Sequence, residues 1–436
     1  MISDRTLARV LDSERRAALF GDLIRAALAL FVVVAIALWI ASYAALVRFM
    51  YSDVHMNDFG KFYYSARMFL DGQDMYGPSP ATSIPFGDNV TRQFWNMNPP
   101  HFHIIMLPFA ILPPAGALGG WAVVSLIGLL ISISIITREL SLRWTAARVL
   151  WFVLGVVVLA ATGATVVTGQ LTFLLLALVT AAWSTARRGR WNGAAALLGI
   201  AVSVKPFLGV FVPYLILTRR FDALVRLVVS ASACVVVGLV IFGPGSYSAW
   251  LRALGSVQWA WSPMNASVAG ILSRTLADNP FYTPLVVAPT SVRPFSIALS
   301  VALLGASLWL LSKDRSSERT DRAFLGLLLT ALLASPLGWV YYLWLIAGPA
   351  FALWQLQHHR RNRIRDVLLL LAAPGLVWPL AATLANNDAW WAGVAQGSIY
   401  AWSALFLWAA MITDRAGAFG RRSITSRARS TPSGRR

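Results

Sequence analysis

The chain has 436 residues, of which 58% are hydrophobic and 13% charged, and its formal net charge is +19. A mean hydropathy of +0.64 with long uncharged runs excludes both an ordinary water-soluble domain and a disordered chain, and indicates a polytopic membrane protein. A single cysteine, Cys234, excludes a disulfide framework, and no Cys/His cluster of metal-ligand spacing occurs.

Residues 1–25 are expected to form a cytoplasmic N-terminal segment ahead of Ala26–Val47, a 22-residue uncharged run long enough to cross a bilayer as a helix. This run starts too late and is too long for the apolar core of a signal peptide, so no cleavage is expected. A first outer loop, about 48–103, follows. Within it Phe59, Phe62, Tyr63, Ala66, Phe69 and Leu70 recur at helical spacing, predicting an amphipathic interfacial helix that Asn57 or Asp58 can cap. Asp58 stands out because only 18 Asp plus Glu occur in the whole chain. A carboxylate at a helix N-terminus is kept ionised by the dipole, as a general base must be. The same residue also suits a plain cap. The loop continues through Asp71-Gly72-Gln73-Asp74-Met75-Tyr76 to Asn98-Pro99-Pro100, where the prolines punctuate the approach to the next apolar run. His101 and His103 lie close together, but two histidines without a third ligand do not make a metal site.

Val149–Ala186 is uncharged for 38 residues, predicting two spans with a turn near Thr168-Gly169-Gln170. Between Asn192 and Leu217 only Lys205 is charged, and both flanks are Arg-rich. Two half-spans meeting at Lys205-Pro206 satisfy both flanks, and such a break is tolerated where it lines a polar cavity. Lys205 then either binds a ligand or satisfies carbonyls at the break. Leu227–Gly243 is a further span, followed by a second outer loop, about 244–293. Its Tyr247, Trp250, Trp259 and Trp261 suit an aromatic belt or a sugar-stacking surface. Arg274 and Arg293 in this loop suit either a lipid phosphate or snorkelling at the headgroups. Pro294–Ser312, Ala323–Gln357 with a break at Ser335-Pro336-Leu337-Gly338, Val367–Leu384 and about 398–413 complete the spans. The basic tail 414–436 is expected to lack structure.

With both termini in the cytoplasm, inner segments carry 29 Lys plus Arg and outer segments 7. This is the positive-inside distribution, so the net charge reads as anchoring to anionic lipid and not as a nucleic-acid footprint. The expected architecture is all-α: a transmembrane bundle of about ten to twelve spans over residues 26–413, with broken or re-entrant helices and interfacial helices in the outer loops.

Several pieces in order resemble glycosyltransferase family 87, which contains mycobacterial mannosyl- and arabinofuranosyltransferases of the GT-C fold. They are Asp58 with Tyr63, Ala66, Leu70-Asp71-Gly72 and Tyr76; Pro99-Pro100; Gly169-Gln170; Arg188-Gly189-Arg190; Gly199 through Lys205-Pro206; and Ser335-Pro336 with Trp339. Two positions depart from the family pattern: Asn98 replaces a frequent Tyr, and Val340, Tyr341 and Tyr342 stand where His is frequent. The resemblance implies transfer of a sugar from a polyprenyl-phosphate donor to a glycan or glycolipid acceptor at the outer face of the plasma membrane, without a cofactor or metal. It implies Asp58 as the base, and makes Tyr63, Asn98, Gln170, Trp339 and Tyr342 binding candidates beside Lys205, Arg274 and Arg293. The leaving phosphate needs cations more than a general acid. The expected sugar is a mannose-like hexose, with arabinofuranose as the alternative. A transporter or flippase would also use broken helices and an intramembrane lysine, but the paired halves usual in transporters are not visible.

Overall fold

Lipid cannot satisfy backbone polar groups, so uncharged runs of this length fold as helices. A computed structural model describes residues 58–79, 81–85, 91–256, 259–357, 362–385 and 387–428, with individual positions between Val33 and Arg48. These form an all-α polytopic bundle. The first predicted span lies largely outside the described residues. Its described positions are helical, and Trp39 Nε1 donates to Val377 O at 2.9 Å. Asn57 also lies outside them.

α1 (Asp58–Leu70) precedes a small antiparallel hairpin, β1 (Ser83–Pro85) with β2 (Thr91–Gln93), which the sequence did not suggest. α2 (Pro114–Glu139) begins on prolines, which suit a first turn whose N–H groups have no helical partner. α3 (Ala146–Val158) and α4 (Ala160–Thr168) together make one crossing bent by 60°. α5 (Thr172–Arg187) completes the predicted hairpin, and the turn falls at Gly169 as expected. α6 (Trp191–Val204) ends at Lys205, a 3₁₀ turn spans Pro206–Val210, and α7 (Phe211–Leu217) returns to the same end of the bundle. The expected break at Lys205-Pro206 is present. α8 (Phe221–Gly255) is interrupted at Gly243, where φ is +74°. α9 (Val268–Leu276) is capped by Ser267 Oγ, which accepts from Gly270 N at 3.1 Å. α10 (Pro289–Ser312) and α11 (Arg319–Ala334) follow, and α11 stops at Ser335. A 3₁₀ segment, Val340–Ile346, leads into α12 (Ala347–Gln357), and α13 (Arg363–Val377) and α14 (Ile399–Ala428) pack against each other.

The structure differs from one expectation, that of the tail, and adds detail to two others. Helix continues from Pro244 to Gly255 and α10 starts at Pro289, so both ends of the expected second outer loop, about 244–293, are helical. The tail after 413 is helical through Ala428, since α14 runs on past the apolar stretch. Among the described residues α2, α8 and α10 are each long and apolar enough to cross a membrane, and the bent α3–α4 pair adds a fourth. The ten to twelve crossings expected from the sequence also count shorter apolar pieces such as α5 and α6.

α1 does not simply float at an interface. Phe59, Gly60, Phe62, Tyr63, Ser65 and Ala66 are all buried, so the helix is wedged into one end of the bundle. Outward-facing Val123, Leu126, Ile127 and Leu130 on α2, and Val236 and Val240 on α8, form the apolar lipid surface. At the opposite end Glu139 ties α2 to α5, with Arg187 at 3.3 Å and Arg188 at 2.9 Å. Arg187 also meets Asp321 of α11 at 3.0 Å, and Trp183 Nε1 donates to the same carboxylate at 2.8 Å.

α6 and α8 run parallel and very close. A Cβ on Gly199 would lie 2.3 Å from Leu227 O and 2.0 Å from Ser230 Oγ. Gly199→Ala therefore has to push the pair apart, at a cost of about 1–3 kcal/mol. Gly119→Ala, whose Cβ would meet nothing within 4 Å, is expected to be neutral or mildly stabilising. Thermal unfolding of both variants in detergent checks the contrast.

Candidate active site

Four chain breaks and one helix N-terminus meet around a cavity of about 600 Å³. Asp58, Lys61 and Phe62 of α1 line one side, and Trp95, Asn96, Met97 and Asn98 come from the loop after β2. Gln170 comes from the α4–α5 turn, Lys205-Pro206-Phe207 from the α6–α7 break, and Ser335-Pro336-Leu337, Trp339, Tyr341 and Tyr342 from the break after α11. Leu254 and Trp259 close the top.

The carboxylate of Asp58 is gripped from two sides. Lys61, one helical turn on, donates Nζ–H to Oδ1 at 2.8 Å. Gln170 donates Nε2–H to Oδ2 at 2.7 Å and the other amide hydrogen to Tyr341 OH at 2.9 Å. Gly169 makes this reach possible. Its φ of +64° ends α4 in the left-handed conformation, and a Cβ there would lie 2.6 Å from Phe59 Cβ. Trp121 Nε1 locks the turn by donating to Gly169 O at 2.7 Å. The Asp58 side chain keeps 24% of its surface accessible, on the cavity side. Burial pushes its carboxyl up, but the Lys61 charge, the Lys61 and Gln170 hydrogen bonds and the more distant Lys205 charge together hold it below the ordinary carboxylate value. At neutral pH the group is ionised.

Lys205 enters from the opposite wall. Nζ donates to Asn98 Oδ1 at 2.6 Å and lies 5.7 Å from the centre of the Tyr342 ring, which in turn packs on Phe207. Asn98 is itself set by Asn96, whose Oδ1 accepts from Asn98 N at 3.0 Å and from Asn98 Nδ2 at 3.1 Å. The result is one carboxylate paired with the Lys61 ammonium, and a second ammonium, Lys205, in the same cavity lined by aromatic rings. Such a site can take up a hydroxyl proton at one wall and hold an anion at the other.

The family model described as glycosyltransferase family 87 matches residues 96–336, more than half of the chain. The chain belongs to glycosyltransferase family 87. A polyprenol-phosphate-mannose-dependent alpha-(1-2)-phosphatidylinositol mannoside mannosyltransferase of Mycobacterium tuberculosis (strain ATCC 25618 / H37Rv) is 25% identical over 384 residues, covering 83% of this chain and 85% of that protein. The protein with the same description in Mycolicibacterium smegmatis (strain ATCC 700084 / mc(2)155) is 26% identical over 244 residues, 54% of each chain. No solved structure matches the chain. Membership makes this integral membrane protein a glycosyltransferase.

Of the residues singled out from the sequence of this family 87 chain, Asp58, Asn98, Gln170, Lys205, Trp339 and Tyr342 do meet at the cavity. Tyr63, Arg274 and Arg293 do not. Tyr63 follows Asp58 by five residues, about 140° around the helix, so it points into the bundle and donates its hydroxyl to Leu112 O at 2.8 Å. Arg274 has no exposed surface, and its guanidinium is hydrogen-bonded to protein groups. Its guanidinium donates to Ser262 O at 2.6 Å, Asn265 O at 3.1 Å and Ser398 Oγ at 3.1 Å. Arg293 is exposed on the first turns of α10 and does not line the cavity. The histidine pair diverges: His101 Nδ1 faces Tyr247 OH, and His103 Nε2 faces Asn96 Nδ2. Sequence reasoning missed Lys61, Asn96 and Tyr341. Lys61 was detectable from its i+3 spacing to Asp58 on a predicted helix; Asn96 and Tyr341 carry no such local signal.

The ionised form of Asp58 is lost as pH falls through its carboxyl pKa, and Lys61 is the principal group holding that value down. Lys61→Met is therefore expected to move the acid limb of kcat/KM to higher pH, by roughly 1–3 units. A pH–rate profile measures this, and an unmoved limb removes Lys61 from that role.

Proposed function

We propose that the chain transfers a mannose-like hexose from a polyprenyl-phosphate donor to a glycolipid acceptor, with Asp58 as the general base. The observation that carries this reading is the Asp58 carboxylate, held ionised beside Lys61 and opposite Lys205 in one cavity. The relatives' donor, polyprenol-phosphate-mannose, supports the lipid-phosphate donor, and their phosphatidylinositol mannoside acceptor supports a phosphoglycolipid acceptor for this chain.

In this mechanism Asp58 Oδ takes the proton of the acceptor hydroxyl as that oxygen attacks the anomeric carbon. The bond from this carbon to the phosphate oxygen breaks, and the electron pair leaves with polyprenyl phosphate. A phosphate monoester leaves readily, so stabilising its charge matters more than protonating it. Lys205, held by Asn98, is the cation suited to that task. Lys61 is committed to Asp58 and contributes through the base. Trp259, Trp339 and the two tyrosines offer faces on which sugar rings can stack.

The cavity is reached at the Gln170 end of α5, whereas Arg187 and Arg188 cap its other end, about 24 Å away for 16 residues. Together with the 29-to-7 distribution of basic residues, this supports a cavity on the outer face and cytoplasmic termini. In a Cys234→Ser background, Gln73→Cys is expected to react with an impermeant thiol reagent added outside whole cells, and Arg315→Cys only after permeabilisation. The reverse pattern inverts the proposed topology.

Asp58→Asn keeps the shape of the side chain but cannot accept the hydroxyl proton. Turnover with polyprenyl-phosphate mannose is expected to fall by roughly 10²- to 10⁴-fold, and the unfolding temperature by about 2–4 °C, because the amide nitrogen must face a donor, Lys61 Nζ or Gln170 Nε2. Parent-like turnover by this variant would defeat the assignment of the base.

A further inference from the structure

The bundle carries a second polar cavity, of about 460 Å³, at the end opposite Asp58. It lies between two turns built alike. The α5–α6 turn reads Arg187-Arg188-Gly189-Arg190, with Gly189 at φ +77° and Arg190 at φ −87°, ψ 64°. The α7–α8 turn reads Thr218-Arg219-Arg220, with Arg219 at φ +55° and Arg220 at φ −96°, ψ 59°. Each turn has the same closing bond, from Arg190 N to Thr185 O at 3.1 Å and from Arg220 N to Leu215 O at 2.9 Å. In consequence α6 and α8 start side by side and run parallel, and neither N-terminus has a side-chain cap. Their first-turn N–H groups face one space.

That space is lined by Arg190, Arg219 and Arg220, with one carboxylate, Asp222, on the same wall. Among the described residues no carboxylate or carbonyl engages any of the three guanidinium groups. The Nε of Arg220 is closed off from solvent and has no hydrogen-bond partner. Its guanidinium lies over Trp191, with Cζ 4.2 Å from the ring centre. Arg319 at the start of α11 adds a further positive charge close enough to act on Arg220. Three guanidinium groups against one carboxylate and two parallel N-termini without side-chain caps, all lining one cavity, together make a receptor for a phosphate group.

We propose that this cavity binds a phosphate, and that its source is the headgroup of an anionic lipid in the leaflet opposite the catalytic cavity. Bidentate guanidinium contacts and helix N–H groups suit tetrahedral phosphate oxygens, and a basic pocket between membrane helices suits a headgroup better than a free ion. The site is separate from sugar transfer and does not depend on the role of Asp58.

The test is native mass spectrometry of the full-length protein in detergent, titrated with phosphatidylglycerol, phosphatidylcholine or inorganic phosphate. Phosphatidylglycerol is expected to bind at least tenfold tighter than phosphatidylcholine, and Arg219→Gln/Arg220→Gln to lose that preference. Inorganic phosphate binding with the same dependence on the two arginines would keep the phosphate site and overturn the lipid source. Arg315→Gln, which removes an exposed charge outside the cavity, is expected to leave binding unchanged. Asp222→Asn, which removes the opposing carboxylate, should tighten binding several-fold, and it decides the matter if the double variant fails to fold. Equal binding by parent, double variant and Asp222→Asn, or no binding by the parent, overturns the proposal.

Discussion

A helix that breaks inside an apolar bundle leaves N–H and C=O groups that lipid cannot take up, so every break needs a partner from elsewhere in the chain. The break after α11 meets this demand through Asn265. Its Nδ2 donates to Pro336 O at 2.9 Å and its Oδ1 accepts from Gly338 N at 2.9 Å. Two main-chain bonds, Ala266 N to Gly338 O and Val340 N to Met264 O, stitch the segments together. Arg274 then fixes the Asn265 strand from behind by donating to its carbonyls. This loop thereby helps to hold the wall that carries Trp339, Tyr341 and Tyr342.

The same logic explains why the polar residues of the cavity sit at breaks. A regular helix consumes its own polar groups and presents side chains to lipid or core. At Gly169 and at Lys205 the ladder stops, and the next polar side chain is turned inward against a neighbour. Gln170 finds Asp58, and Lys205 finds Asn98. A carboxylate and an ammonium in a bundle of this hydropathy each require such hydrogen bonds, because desolvation otherwise favours their neutral forms. Structural need and readiness for reaction coincide in these residues.

The breaks were legible in the sequence because they carry Gly, Pro or a lone charge inside an apolar run. Asp58 was legible for the same reason of scarcity. The candidates that lie away from the cavity share a different feature: each depended on direction. Arg274 reads as an outer-loop cation, and nothing local says that α9 turns it onto Ser262 and Asn265 and not outward. Tyr63 lies on the apolar stripe of α1, and only the angle around the helix separates it from Asp58 and Lys61. The tryptophans of the second loop were read as a belt or a sugar surface. Trp250 donates to Met97 O at 3.1 Å, and Trp259 lies tilted against Phe94, joining the end of α8 and the segment after it to the segment after β2. The β1–β2 hairpin had no periodic signal at three residues per strand.

The clamp on Arg274 ends at Ser398, and this has a consequence for biosynthesis. A chain inserted from its N-terminus releases Asp58, Asn98, Gln170 and Lys205 long before residues 335–342 arrive, and the serine that completes the guanidinium clamp comes later still. At ordinary translation rates the interval from residue 58 to 398 is on the order of tens of seconds. Through that interval a carboxylate and an ammonium sit in a half-built bundle without their final wall. The early segments therefore have to be self-sufficient, and the Asp58–Lys61 and Lys205–Asn98 pairs, both formed within the first 205 residues, make them so.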